Sequence, residues 1–252
     1  DPTQCQNYRG ISLLNIAYKI FSVILFKKIQ PFADKQVGNY QCGFKAGKST
    51  VDQIHTLRQI LQKTREYKIN TFHLFIDFVA AYDNVNREKL FQAMEEFEIP
   101  GKLINLTKAT LRNARCRVRI QYKITEEFIT QKGLRQGDAL SCLLFNIALE
   151  KVVRESGIDT RGTIFQKSIQ LLAYADDVDI IGRSEKAVGE AFDKLETAAR
   201  KMGLMINQEK TKYMEMTNNR TNKDSIKIKH YKFECVKQFK YLGTIITYDN
   251  NI

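Results

Sequence analysis

The 252-residue sequence is poor in chain breakers, with 3 Pro and 13 Gly, and that scarcity argues against a long flexible linker. It holds no internal repeat and no low-complexity tract. Its 5 cysteines, Cys5, Cys42, Cys116, Cys142 and Cys235, are odd in number, widely spaced and free of any C-x-x-C pair. This excludes a disulfide framework and a zinc site, and points to reduced thiols in an intracellular protein, nuclear or cytoplasmic. The 3 histidines, His55, His73 and His230, show no metal-ligand spacing. No apolar run is long enough to cross a bilayer and no signal-peptide pattern is present, so a membrane is not an expected partner. The chain opens on Asp1 rather than Met, as a piece of a longer protein would.

Hydrophobic residues make up 43% of the chain, enough for a substantial core and too many for an unfolded segment. The net charge is +12, an excess that suits a polyanionic partner. The excess is uneven. Residues 1–70 carry +7, residues 101–135 another +7 and residues 201–240 +6, whereas residues 71–100 carry −4. A basic chain with one acidic island suggests an anionic ligand held around a metal site.

Apolar periodicity predicts a helix over residues 13–29, with Leu13, Leu14, Ala17, Ile20, Phe21, Ile24 and Leu25 on one stripe, stopped by Pro31. A second helix is expected over 49–65. Residues 71–78 read as a buried strand, followed by helices near 87–97 and 101–112 that split at Pro100-Gly101. Residues 116–121 and 126–130 read as a hairpin, residues 139–153 as a helix, and residues 168–174 and 178–182 as a hairpin flanking an acidic pair. Ser184 is positioned to cap a helix with the stripe Val188, Phe192, Leu195, Ala199 and Met202, ended by Gly203. Short strands follow. Helices, then strands mixed with helices, then strands make an α+β plan.

Two segments carry the chemistry: Phe75-Ile76-Asp77-Phe78-Val79-Ala80-Ala81-Tyr82-Asp83 and Tyr174-Ala175-Asp176-Asp177. An Asp in an apolar strand is costly unless paired or metal-bound, and adjacent Asp residues repel unless a cation neutralises them. Three such carboxylates on neighbouring strands suit a pair of Mg²⁺ ions, which take oxygen ligands and share substrate phosphates.

These segments resemble polymerase motifs A and C of reverse transcriptases, and the resemblance runs over nearly the whole chain. Asn7-Tyr8-Arg9-Gly10-Ile11-Ser12-Leu13-Leu14 resembles the opening fingers motif and Gln41-Cys42-Gly43-Phe44-Lys45-Ala46-Gly47-Lys48-Ser49-Thr50 the second. Gly133-Leu134-Arg135-Gln136-Gly137-Asp138-Ala139-Leu140-Ser141 resembles motif B. Gly203-Leu204 with Asn207, Lys210 and Thr211 resembles motif D, and Tyr241-Leu242-Gly243 the primer grip. Order and spacing are similar to those of non-LTR, LINE-type retrotransposons.

The resemblance implies a right-hand polymerase with an antiparallel palm sheet, packed helices and a largely missing thumb. Fingers would cover 1–70 with part of 84–130, the palm 71–83 and 131–235, and a primer-grip hairpin 236–252. It implies an RNA-directed DNA polymerase using two Mg²⁺ ions, with Mn²⁺ as a possible substitute. Its partners would be an RNA template, a DNA primer or target, and dNTPs; protein partners stay unspecified.

Asp77 and Asp176 would hold the metals, with Asp177 a weaker ligand and Lys210 the proton donor to the leaving pyrophosphate. Lys212 lies near enough to rival it. Arg9 and Lys45 would hold the triphosphate. Phe78, Ala81 and Tyr82 would lie at the nucleotide, Tyr82 excluding a 2′-hydroxyl. Gln136 and Gly137 would floor the nascent base pair, and Tyr241, Leu242 and Gly243 would grip the primer. Asp83 reads as a helix cap. The chain departs from common family usage at Gly10 and Cys142, where Pro is frequent, and at Lys45, where Arg is; Lys cannot grip a phosphate bidentately.

Three rivals remain. Gly43 to Ser49 reads G-x-x-x-G-K-S, one residue short of a P-loop. An RNA-dependent RNA polymerase shares the palm, but Tyr82 and Ala175 argue against it. The third is an incomplete transposon remnant that only binds nucleic acid, since neither an endonuclease nor a Cys/His knuckle is present. As a reverse transcriptase fragment lacking most of its thumb, the isolated chain should bind primer–template with strong salt dependence yet extend primers poorly.

Overall fold

The computed structural model describes residues 8, 10–217 and 223–249. The chain starts with helix α1 (Ile16–Gln36), whose first turn is capped by the Asn15 side chain accepting from the Tyr18 amide at 2.7 Å. The helix does not end at Pro31. Pro31 sits on the exposed side while Ile29 and Ala33 beside it are fully buried, and that burial carries the helix through the lost hydrogen bond. The buried stripe is Ser22, Leu25, Ile29 and Ala33, against α5 and α6; Leu13, Ile20 and Ile24 of the expected stripe face outward.

Helix α2 (Thr50–Glu66) begins with a reciprocal capping box between Ser49 and Asp52. Strand β1 (Thr71–Ile76) leads into the single turn α3 (Ala81–Asn84), then α4 (Arg87–Glu96) and α5 (Gly101–Leu111). Asn86, not Asp83, caps α4, accepting from the Lys89 amide at 3.1 Å; Asp83 is spent inside α3. The expected hairpin is a two-part arm, β2 (Ala114–Cys116) pairing with β5 (Phe128–Thr130) and β3 (Arg119–Ile120) with β4 (Lys123–Ile124). Helix α6 (Ala139–Ser156) is capped by Asp138 and buried on nearly every side. Strands β6 (Ile169–Tyr174) and β7 (Asp177–Gly182) form the acidic hairpin, and α7 (Glu185–Lys201) follows, capped by Ser184 with its predicted stripe fully buried. Five strands close the chain: β8 (Lys212–Met216), β9 (Ser225–Ile228), β10 (Tyr231–Cys235), β11 (Gln238–Tyr241) and β12 (Thr244–Thr247).

Six strands form one sheet in the order β6-β7-β1-β8-β10-β9. The expected antiparallel arrangement holds except between β8 and β10, which run parallel. Period-2 alternation sends Leu74 and Ile76 of β1 into the main core with α6 and α7. Phe75 points the other way, into a second cluster with Leu57 and Leu61 of α2 and Tyr241 and Ile246 of the β11–β12 hairpin. The molecule is thus an α+β sandwich whose central sheet is covered on both faces. No helix among the described residues is long and apolar enough to cross a membrane.

Candidate active site

The β1–β7 ladder decides where the acidic residues meet. Ile76 pairs with Val178, so one step further along the antiparallel register Asp77 stands opposite Asp177. Tyr174 pairs with Asp177, which leaves Ala175 and Asp176 as a two-residue turn with Ala175 left-handed at φ 54. Residues separated by a hundred positions therefore meet at one end of two neighbouring interior strands, with all three carboxylates half-buried. The backbone after β1 is pinned as well: the Asp77 carbonyl accepts from the Asn207 amide at 2.8 Å, and Val79 N–H donates to the Met205 carbonyl at 2.8 Å.

Beside the pair opens a cavity of about 370 Å³ lined by Asp77, Asp177, Lys210, Lys212, Lys240 and Tyr241. Lys212 is already engaged, its Nζ donating to Glu234 Oε2 at 2.6 Å and to the Glu209 carbonyl at 2.5 Å. Lys210 is exposed at the cavity, its backbone amide donating to Asn207 Oδ1 at 3.3 Å. Of the two rival lysines, Lys210 is the one with an uncommitted amine in the described contacts.

Tyr82 lies on the far side of the turn. Its ring stacks on Phe145 of α6 with centroids 4.7 Å apart. Burial first, then the neighbouring Cys142 thiol and Asp176 carboxylate, hold its hydroxyl pKa well above the ordinary tyrosine value. Leu134 N–H donates to the Tyr82 carbonyl at 2.7 Å, so motif B is fastened directly to the segment after Asp77. Gly133, at φ 84, passes so close that a Cβ would fall 2.5 Å from the Asp83 carbonyl oxygen. The loop continues to Gln136, whose carbonyl accepts from the Ser12 amide at 2.9 Å, and to exposed Gly137 at φ 98.

Arg87, only 7% exposed, is a residue sequence reasoning missed. Its guanidinium donates to the Gly133 carbonyl at 2.9 Å, the Leu111 carbonyl at 2.7 Å and the Thr130 carbonyl at 2.6 Å, tying α5, the arm and motif B together. Burial lowers its pKa. Nothing in the sequence separates it from the other cationic side chains. Also missed was the His73–Asp179 pair, fully buried further along the sheet face that bears Asp77 and Asp177, with Nδ1 and Oδ2 at 3.0 Å.

The primer-grip residues form the tip of β11–β12. Leu242 at φ 46 and Gly243 at φ 87 make a two-residue turn of the I′ kind. Tyr241 behind them is buried: its hydroxyl accepts from Gln53 Nε2 at 3.2 Å, and its ring lies 5.5 Å from Phe75.

Not every expected residue faces the cavity. Phe78 and Ala81 pack into the main core, each 4% exposed. Lys45 Nζ donates to the Val37 carbonyl at 3.0 Å and the Gly38 carbonyl at 3.4 Å, closing the end of α1. Arg9 lies outside the described residues.

The family model described as reverse transcriptase (RNA-dependent DNA polymerase) matches residues 1–246. A probable RNA-directed DNA polymerase from transposon X-element of Drosophila melanogaster is 26% identical, covering 95% of this chain and 26% of that protein. A Retrovirus-related Pol polyprotein from type-1 retrotransposable element R2 of Nasonia vitripennis is 22% identical over 94% of this chain and 24% of its own length. The chain thus spans about a quarter of these relatives. Among solved structures, an apo telomerase from Candida tropicalis truncated from its C-terminal domain superposes with a TM-score of 0.60 at 17% identity, over 94% of this chain and 49% of that one. That likeness shows the fold.

Proposed function

The chain belongs to the reverse transcriptase family, and on that premise we propose that it is the catalytic core of an RNA-directed DNA polymerase of a non-LTR retrotransposon. It joins a primer 3′-hydroxyl to the α-phosphate of a dNTP and releases pyrophosphate. The observation that carries this reading is the register that sets Asp77 across from Asp177, with Asp176 in the adjoining turn.

Reverse transcriptases generally use divalent metal ions, and the donor set here fits them. Asp77, Asp176 and Asp177 offer only carboxylate oxygens, the ligands a hard cation such as Mg²⁺ or Mn²⁺ takes. No three acidic, His or Cys side chains among the described residues form a metal cage as they stand, so the three carboxylates would have to draw together round the ions. Bound there, the ions would lower the pKa of the attacking hydroxyl and neutralise charge on the phosphates.

The protein's own groups position the rest. Lys210 at the cavity can give a proton to the leaving pyrophosphate. Tyr82, its ring stacked on Phe145 and its carbonyl bonded to motif B, is the residue we assign to exclude a 2′-hydroxyl by sterics. Gln136 and Gly137 floor the nascent base pair, and Leu242-Gly243, presented on the buried Tyr241, hold the primer end. Arg9 and Lys45 are the cations offered to the triphosphate; Lys45 must leave its carbonyl contacts to reach it. Fingers over 1–70 with part of 84–130, a palm over 71–83 and 131–235, and a primer-grip hairpin from 236 complete the reading.

The test is Mg²⁺-dependent primer extension on an RNA template, wild type against Asp176→Asn. Extension by the wild type, weak in the isolated chain, should vanish in the variant while primer–template binding persists. Equal extension by the two removes the catalytic assignment. Binding with no metal-dependent extension by either leaves the nucleic-acid-binding remnant.

A further inference from the structure

The turn that carries Asp176 is held from outside its own hairpin. Ala175 sits at φ 54, a conformation that a residue with a Cβ disfavours and that a two-residue turn usually gives to Gly or Asn. Both backbone groups of this one residue are met by one side chain. Gln41 Oε1 accepts from the Ala175 amide at 2.8 Å, and Gln41 Nε2 donates to the Ala175 carbonyl at 3.3 Å. The same Oε1 accepts from the Gly43 amide at 2.7 Å.

The clamp is itself built in. Gln41 is 1% exposed and lies beside β6, where Ala173 N–H donates to the Tyr40 carbonyl at 2.8 Å and Cys42 N–H to the Ala173 carbonyl at 2.9 Å. Gly43 passes so near the turn that a Cβ there would fall 2.2 Å from the Ala175 nitrogen. Behind it, Asn146 of α6 donates to the Gly43 carbonyl at 2.7 Å. The carboxamide must give and accept at once: Glu lacks the donor, Met has no donor and only a weak thioether acceptor, and Asn is one methylene short.

We infer that Gln41 is a positioning residue for the catalytic turn, its carboxamide holding Ala175 left-handed and thereby setting where Asp176 stands relative to Asp77 and Tyr82. This rests on the reading of Asp176 as a metal ligand. The role parallels that of the outer hydrogen-bond partners of metal ligands, whose loss weakens metal binding about 10- to 100-fold.

The experiment compares wild type, Gln41→Met, Gln41→Glu, Ala175→Gly, the Gln41→Met/Ala175→Gly double variant and Asp176→Asn. Three quantities are measured: Mn²⁺ affinity by water-proton relaxation, the Mg²⁺ concentration for half-maximal primer extension, and melting temperature. Both Gln41 variants should lose Mn²⁺ affinity and raise the Mg²⁺ requirement about tenfold. Glycine at 175, which needs no clamp to be left-handed, should return most of that loss in the double variant. A lower melting temperature with unchanged metal dependence, or a metal defect that glycine does not relieve, overturns the inference. Should the Gln41 variants fail to fold, hydrogen exchange of the wild-type Ala175 amide decides: protection like that of β6 and β7 supports the clamp, and exchange as fast as an open turn overturns it. Wild type and Asp176→Asn binding Mn²⁺ equally would instead sink the reading of the site, and the clamp's role with it.

Discussion

The hydroxyl of Thr211, fully buried, accepts the backbone N–H of Asp77 at 3.2 Å across 134 positions of sequence. One step before the segment that pairs with β1 as β8, this contact fixes the backbone of the first acidic residue against the strand on its other side. Thr211→Val keeps the shape and removes the acceptor. The Asp77 amide then loses this hydrogen bond, which costs about 1 kcal/mol. Urea denaturation should show that loss, and Thr211→Ser should recover most of it.

Gly43→Ala is expected to be far more damaging than its one methyl group suggests. The new Cβ would meet backbone, at 2.2 Å from the Ala175 nitrogen, not a side chain that can swing away. Overpacking of this kind costs about 2–3 kcal/mol. Gly101→Ala is the control, because nothing lies within 4 Å of a Cβ built there. A denaturation midpoint for Gly43→Ala equal to that of the control would contradict the packing described.

Tyr82→Val should relax sugar discrimination. The ring is held in place by Phe145 at 4.7 Å, so a shorter side chain leaves an opening that nothing else fills. The ratio of kcat/KM for dNTP over rNTP should fall at least about tenfold, which is about 1.4 kcal/mol. An unchanged ratio with normal dNTP incorporation places the sugar elsewhere.

Asp179 provides a pH signature. Its carboxyl is fully buried, Oδ1 has no hydrogen-bond partner among the described residues, and burial raises its pKa although His73 opposes the shift. A carboxyl whose folded pKa is raised favours the folded state below its unfolded value, near 3.9, and that contribution is lost as pH rises through the folded pKa. Asp179→Asn cannot titrate. Its stability relative to wild type should therefore improve as pH is raised from the acid side. Parallel stability curves for the two proteins would mean that the carboxyl is not shifted.

Primer–template binding should be steeply salt-dependent, given a net charge of +12. Raising monovalent salt from about 50 to about 200 mM should weaken it at least about tenfold if several phosphates are neutralised. A flat response would leave the basic surface without a polyanionic role.

Much of the site was legible in one dimension. Asp77 at the end of an apolar strand and the acidic pair between apolar arms announce themselves, because taking a carboxylate out of water is costly without a partner or a cation and so is informative. Helix α7 was equally plain: Ser184, the Val188–Met202 stripe and Gly203 all report local preferences that the structure keeps. Helix α1 was not. It is apolar on more than one side, so periodicity alone could not tell which side meets α5 and α6, and Pro31 is a breaker only where packing does not compensate.

What the amino-acid order determined by itself was the set of elements and the chemistry they bear: strands with Asp at their ends, capped helices, a tight acidic turn. Tertiary structure decided the rest. Only the β1–β7 register puts Asp77 across from Asp177, only packing makes Arg87 the buried tie of motif B, and only the approach of residues 40–43 to β6 turns Gln41 into the clamp of Ala175. The division has a physical cause. Propensity, capping and burial patterns act over a few residues and are written locally. A buried polar group is satisfied by whichever partner the fold brings to it, and that partner can lie anywhere along the chain.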